Sequence, residues 1–126
     1  MPAQLDHLIL MVNDVEKSLA FYTRLLGFTY DGERPPFSVI RVTPDFVMQL
    51  APWGTKGGEH LAFALLPDEF ERVFQRVRDA GIPYGDAFDG VGNMRGPGSA
   101  SGARGEGQSV YVFDPSQHLI EITCYA

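Results

Sequence analysis

Four polar side chains interrupt strands that are otherwise apolar. They are His7 in LDHLILMV, Gln49 in FVMQLA, His60 in EHLAFAL and Glu121 in HLIEIT. Side chains on a strand alternate between two faces, so Leu119, Glu121 and Thr123 share one face while Ile120, Ile122 and Cys124 share the other. A carboxylate set among apolar neighbours costs free energy unless a partner neutralises it. Imidazole nitrogen and carboxylate oxygen both suit first-row divalent ions, and a facial set of two histidines and one carboxylate leaves positions open for substrate or dioxygen. Such an ion would supply the charge that Glu121 needs.

The elements that must position these residues can be read from pattern. Leu5 to Val12 is a strand-length apolar run with His7 on the face of Leu5, Ile9 and Met11. Asn13 and Glu16 have the spacing of a capping box, and Val15, Leu19, Tyr22 and Leu26 then form one helical stripe that ends at Gly27. Extended segments follow at about residues 28–33, 37–42 and 46–51, separated by turns at Pro35-Pro36 and Pro44-Asp45. This strand-helix-strand-strand-strand order then restarts. Glu59-His60-Leu61 echoes Asp6-His7-Leu8, residues 61–65 form a strand, and residues 67–80 form a helix with Phe70, Val73, Phe74 and Val77 at helical spacing. An offset of 53 residues lays His60 on His7 and Phe74 on Phe21, which points to duplication of half the chain. The last strand of each half aligns as well, making Gln49 the counterpart of Glu121.

Residues 109–123 read as a hairpin around Asp114-Pro115-Ser116-Gln117. Before it, residues 85–107 hold eight glycines in twenty-three positions, a pattern expected of a long structureless segment, either a lid over a site or a disordered connection. The whole is expected to be an α+β domain of 126 residues in two paired βαβββ modules, about 1–53 and 59–126, whose strands form a curved mixed sheet around a metal-lined cleft.

Composition narrows the partners. Sixteen acidic against ten basic residues give a formal charge of −6 with no Lys/Arg cluster, which disfavours nucleic acid. A single cysteine, Cys124, precludes an internal disulfide and fits a reducing compartment. Neither a signal peptide nor a membrane-length apolar run is read, so a cytoplasmic protein with a small-molecule substrate is the expectation.

The runs DHLILMVNDVEKSLAFYTRLLGF, EHLAFALLPDEFERVFQRVRDAGI and SVYVFDPSQHLIEI resemble the vicinal oxygen chelate superfamily, which includes glyoxalases, bleomycin-resistance proteins and extradiol dioxygenases. The resemblance spans essentially the whole chain. It implies metal ligation by His7, His60 and Glu121, a divalent ion such as Fe(II), Mn(II), Ni(II) or Zn(II), and a homodimer. Glyoxalase I enzymes usually carry a glutamate where this chain has Gln49, and glutamine is a poor base. Gln49 is therefore read as a neighbour of the ion or a fourth ligand. Fosfomycin-modifying relatives carry a hydroxyl or thiol where this chain has Ile9. The spacing of Val110-Tyr111, Asp114-Pro115 and Glu121 resembles ring-cleaving dioxygenases, although Gln117 replaces the glycine or proline usual in that turn. The reading is thus a metal-dependent enzyme, with a ring-cleaving dioxygenase-like activity ahead of a glyoxalase-like isomerase or lyase and of a thiol transferase. A non-catalytic, bleomycin-resistance-like binder is the rival of another class.

Each residue also has a plainer role. A lone histidine on an apolar strand is ordinarily a hydrogen-bonded core residue; the repeat and Glu121 are what make His7 and His60 ligands. Tyr111 is a candidate catalytic residue but shares a strand face with Ser109 and Phe113, as a packed aromatic would. Trp53, Arg41 and Arg104 are candidate substrate contacts, the two arginines being otherwise solvated surface charges. His118 points away from the Glu121 face and is read as a surface or packing residue, and Cys124 as a buried hydrophobe.

Overall fold

The computed structural model describes residues 2–125. The chain divides into two compact units, Met1–Gly57 and Gly58–Ala126, which meet in the glycine-rich link after Trp53. The fold is α+β, and each unit is a βαβββ module with its own four-stranded mixed sheet.

Module one contains β1 (His7–Met11), α1 (Val15–Ala20), a π-helical turn (Phe21–Leu25), β2 (Thr29–Arg34), β3 (Phe37–Thr43) and β4 (Phe46–Ala51). The sheet order is β1-β4-β3-β2, with β1 parallel to β4 and the other pairs antiparallel. Alternation along the strands sends Leu10, Ile40, Met48 and Leu50 into the core with Phe21, Tyr22, Leu25 and Leu26 of the helical segment. The opposite face carries His7, Ile9 and Met11 on β1, Val47 and Gln49 on β4, and Val39 and Arg41 on β3.

The start of α1 departs from the expected capping box. Asp14, in extended backbone, is the N-cap and accepts the Lys17 N–H at 3.0 Å. The Asn13 carboxamide oxygen is occupied elsewhere, accepting the Thr55 N–H at 2.8 Å, a partner 42 residues away. The helix also widens after Ala20, where the Leu26 N–H reaches back to the Phe21 carbonyl at 3.2 Å. That wider turn brings Phe21 and Leu25 into the core beside Tyr22 and Leu26.

Module two repeats the topology with β5 (His60–Ala64), α2 (Pro67–Asp79), β6 (Gly98–Gly102), β7 (Gly105–Phe113) and β8 (Leu119–Cys124), in the sheet order β5-β8-β7-β6. Pro67 opens α2, where a missing N–H costs nothing, with Asp68 and Glu69 in the first turn and Arg76 and Arg78 in the last. This arrangement complements the helix dipole at both ends. Phe70, Val73, Phe74 and Val77 are buried, and α2 packs on β8.

The glycine-rich stretch is structured, contrary to the expectation of a lid or a disordered connection. Residues 98–102 form the edge strand β6, paired with β7 from Gly98↔Ser109 to Gly102↔Gly105. Where β6 runs out, Gly85 takes its place and exchanges both backbone hydrogen bonds with Tyr111 at 3.0 Å. The glycines permit close backbone approach. A Cβ on Gly85 would overlap the Gly90 carbonyl, and one on Gly98 would overlap the Asp86 carbonyl. Among the described residues, no helix is long and apolar enough to cross a membrane.

Candidate functional site

Strand register fixes where the candidate ligands lie within each module. On module one, His7 is opposite Val47 and Ile9 is opposite Gln49, so His7 and Gln49 stand on the same sheet face, one rung apart. On module two, His60 is opposite Leu119 and Ala62 is opposite Glu121. The two arrangements are the same, and the predicted equivalence of Gln49 and Glu121 follows from it. The flanking side chains differ. Ile9 and Met11 cover the module-one face, whereas Ala62 and Ala64 leave room beside Glu121.

Glu121 is buried, with 8% of its surface exposed, yet both carboxylate oxygens have partners. Oε1 lies 2.9 Å from Nε2 of the half-exposed His60, and Oε2 accepts the Ser109 hydroxyl at 2.7 Å. Ser109 is fully buried. Tyr111 faces Glu121 directly across the β7–β8 ladder, and its ring meets His60 edge to face at 6.2 Å. Burial, followed by the Glu121 charge and a hydrogen bond to that carboxylate, raises the Tyr111 phenol above its ordinary pKa. The sequence pattern places Ser109 only as a member of the Tyr111 strand face. The signal that could have singled it out is its place two residues before the residue opposite Glu121.

On module one, a cavity of about 360 Å³ is lined by His7 and Gln49 together with Gln4, Asp6, Arg34 and Arg41 among others, all from that module. His7 Nδ1 is 2.8 Å from Asp6 Oδ2, an exposed contact that leaves Nε2 without a partner among the described residues. The Arg41 guanidinium is committed to its own module. Nε and one terminal nitrogen donate to Asp31 Oδ2 at 3.1 and 3.0 Å, and the other terminal nitrogen donates to the Thr43 and Pro44 carbonyls at 3.4 and 2.9 Å. Its charge is therefore answered before any substrate arrives. Arg34, also at the cavity, has no ion-pair or hydrogen-bond partner for its side chain among the described residues.

The remaining candidates are dispersed. Trp53 is 56% exposed and meets Phe37 edge to face at 5.7 Å, so together they form an aromatic surface at the end of β4. Arg104 sits at the tip of the β6–β7 hairpin over the Tyr125 ring at 4.5 Å, about 20 Å along the strand from Tyr111. His118 is buried, and its Nδ1 accepts the Glu59 N–H at 3.2 Å, a packing role. Cys124 is a half-buried free thiol. Asp114 anchors the hairpin turn by accepting the Ser116 and His118 N–H groups at 2.8 and 2.9 Å. Gln117 adopts a φ of 70°, which explains why glycine suits that position. Among the described residues, no group of three or more His, Cys, Asp or Glu side chains is gathered into a ready metal set; His60 and Glu121 are brought together as a pair.

A family model described as the Glyoxalase/Bleomycin resistance protein/Dioxygenase superfamily matches residues 4–122. The chain belongs to that superfamily, as its sequence motifs implied. It is 30% identical to Virulence protein STM3117 of Salmonella typhimurium over 131 aligned positions, covering 97% of this chain and 84% of that protein. It is 31% identical to the glyoxalase domain-containing protein RDO1 of Mycosarcoma maydis, covering 96% of this chain and 68% of that one. Among solved structures, Oxidase ChaP-H2 superposes with a TM-score of 0.82 at 25% identity, covering 100% of this chain and 96% of the oxidase.

Proposed function

We propose that this chain is a divalent-metal-dependent enzyme acting on a small substrate that offers two neighbouring oxygens, with ring-cleaving dioxygenase chemistry on a catechol-like compound as the leading reading. The observation that carries it is the 2.9 Å pairing of His60 Nε2 with Glu121 Oε1. Two donors each about 2.1 Å from one ion and at right angles lie about 3 Å apart, so this pair has the spacing of neighbouring ligands. His7 completes the set, from the same chain or from a second copy in a homodimer. Gln49 stands beside it as a neutral oxygen donor. When bound, an ion such as Fe(II), Mn(II), Ni(II) or Zn(II) supplies Lewis acidity, and Fe(II) or Mn(II) adds a site for dioxygen.

The protein's own groups fit a phenolic substrate. Tyr111, a phenol protonated at neutral pH, donates a hydrogen bond to a substrate oxygen. On module one, the Trp53–Phe37 pair offers an aromatic surface, and Arg34, whose side chain has no partner among the described residues, offers a cation. Gln49 in place of a carboxylate removes the base that a glyoxalase-type isomerisation needs. The likeness to Oxidase ChaP-H2, an oxidase by name, supports an oxygen-dependent reaction.

The test is metal analysis of untagged protein, followed by anaerobic Fe(II) or Mn(II) loading and oxygen uptake with catechols. Stoichiometric binding that His60→Ala weakens at least 100-fold, with oxygen consumed on catechol addition, is expected. Metal binding without oxygen uptake points instead to a glyoxalase-like isomerase or a transferase. Failure to bind any of the four ions, with small-molecule binding indifferent to His60→Ala, means a non-catalytic binder.

A further inference from the structure

We infer that Ser109 is a positioning residue for Glu121: its buried hydroxyl holds Oε2 so that Oε1 alone is presented, beside His60 Nε2, to a metal ion. The inference rests on the metal-dependent reading above and concerns how the chain makes that ligand. The terminal torsion of a glutamate is broad and roughly two-fold, so an unrestrained carboxylate swings freely and can offer one oxygen or both. Here the two oxygens are treated differently. Oε2 is held at 2.7 Å by a hydroxyl with no exposed surface, on a strand paired with β8 from Gln108 to Phe113. Oε1 is 2.9 Å from an imidazole whose side chain is 46% exposed. The hydroxyl bond is charge-assisted and internal, whereas the imidazole is the partner that can exchange.

Module one provides the internal control. Val39 is opposite Gln49 as Tyr111 is opposite Glu121, so the position two residues earlier is Phe37 in module one and Ser109 in module two. The hydroxyl occurs where the carboxylate occurs and is absent where the neutral amide stands. A buried carboxylate oxygen that loses a donor carries a desolvation cost, and an apolar residue at 109 would remove the hydroxyl that Oε2 accepts from. Holding one oxygen aside also keeps a coordination position available for the second oxygen of a chelating substrate, which a two-oxygen carboxylate would occupy.

The experiment is Co(II) titration of the metal-free full chain for wild type, Ser109→Ala, Ser109→Thr and His60→Ala, followed by affinity and by the visible absorption of bound Co(II). Groups that orient ligands typically contribute 10–100-fold to metal affinity. Ser109→Ala is expected to weaken Co(II) binding by about that factor and to alter the Co(II) spectrum, with Ser109→Thr restoring most of both. If the alanine variant does not fold, Ser109→Gly, which removes the hydroxyl and leaves space for a water to take its place, should give an intermediate loss. Wild-type affinity and an unchanged spectrum in Ser109→Ala would overturn the positioning role while leaving the metal reading intact. A wild type that binds no Co(II), Fe(II), Mn(II), Ni(II) or Zn(II) would overturn both.

Discussion

The two modules carry the same strand order and the same register around their key residues, yet they bear different chemistry. His7 corresponds to His60, Gln49 to Glu121, Val39 to Tyr111 and Phe37 to Ser109. Module two surrounds an acid with a hydroxyl, a phenol and an imidazole, and keeps Ala62 and Ala64 small beside it. Module one surrounds an amide with Val39, Phe37 and Ile9, and the Arg41 guanidinium on that face is already paired with Asp31. A shared scaffold thus sets where side chains stand, and the identity of a few of them decides which half carries charge. The lesson is that a carboxylate can be buried on this face only where a donor is built in beneath it.

The largest effects should come from the core positions that the two modules share. Met48 and Ile120 occupy equivalent places, and neither has exposed surface. Met48→Ala and Ile120→Ala should each cost about 2–5 kcal/mol in urea unfolding, and the two values should agree within about 1 kcal/mol if the halves collapse alike. A wide gap would show that the duplication kept the topology and lost the energetic equivalence. A smaller effect is expected from converting one module's chemistry into the other's. Gln49→Glu places a carboxylate opposite Val39 with Phe37 where a hydroxyl would be needed, and should cost about 1 kcal/mol at pH 7. The loss should shrink as pH falls, because protonation removes the charge that the folded state disfavours; thermal melts at pH 7 and pH 4.5 measure it. The smallest effect belongs to the turns. Gln117 has a left-handed backbone, whereas its counterpart Asp45 does not. Gln117→Gly should therefore stabilise by about 0.5 kcal/mol and Asp45→Gly destabilise by a similar amount, read as opposite small shifts in melting temperature.

Much of the fold was legible because strand alternation and helical spacing are short-range properties. The helix Pro67–Asp79, the strand Phe46–Ala51 and the shared faces of His7 with Ile9 and of Glu121 with Thr123 all follow from periods of 3.6 and 2. Strand β6 was not legible. Its sequence, GSASG, has no β-branched or aromatic residue, and it is a strand only because β7 supplies backbone partners. The cap of α1 lies one residue beyond the Asn13 that the pattern suggests, since the Asn13 oxygen is taken by Thr55 and Asp14 caps the helix instead.

The sequence by itself determined that the chain is a duplicated βαβββ unit, that His7, Gln49, His60 and Glu121 occupy repeated positions, and that Glu121 needs a partner. Only the tertiary structure decided which partners each polar group takes. Glu121 is bound by Ser109, 12 residues away, and by His60, 61 residues away; Arg41 is claimed by Asp31, 10 residues away. Periodicity says which face a side chain is on. The choice of hydrogen-bond partner depends on which strands lie side by side and in what register, and that is settled only when the sheet is assembled.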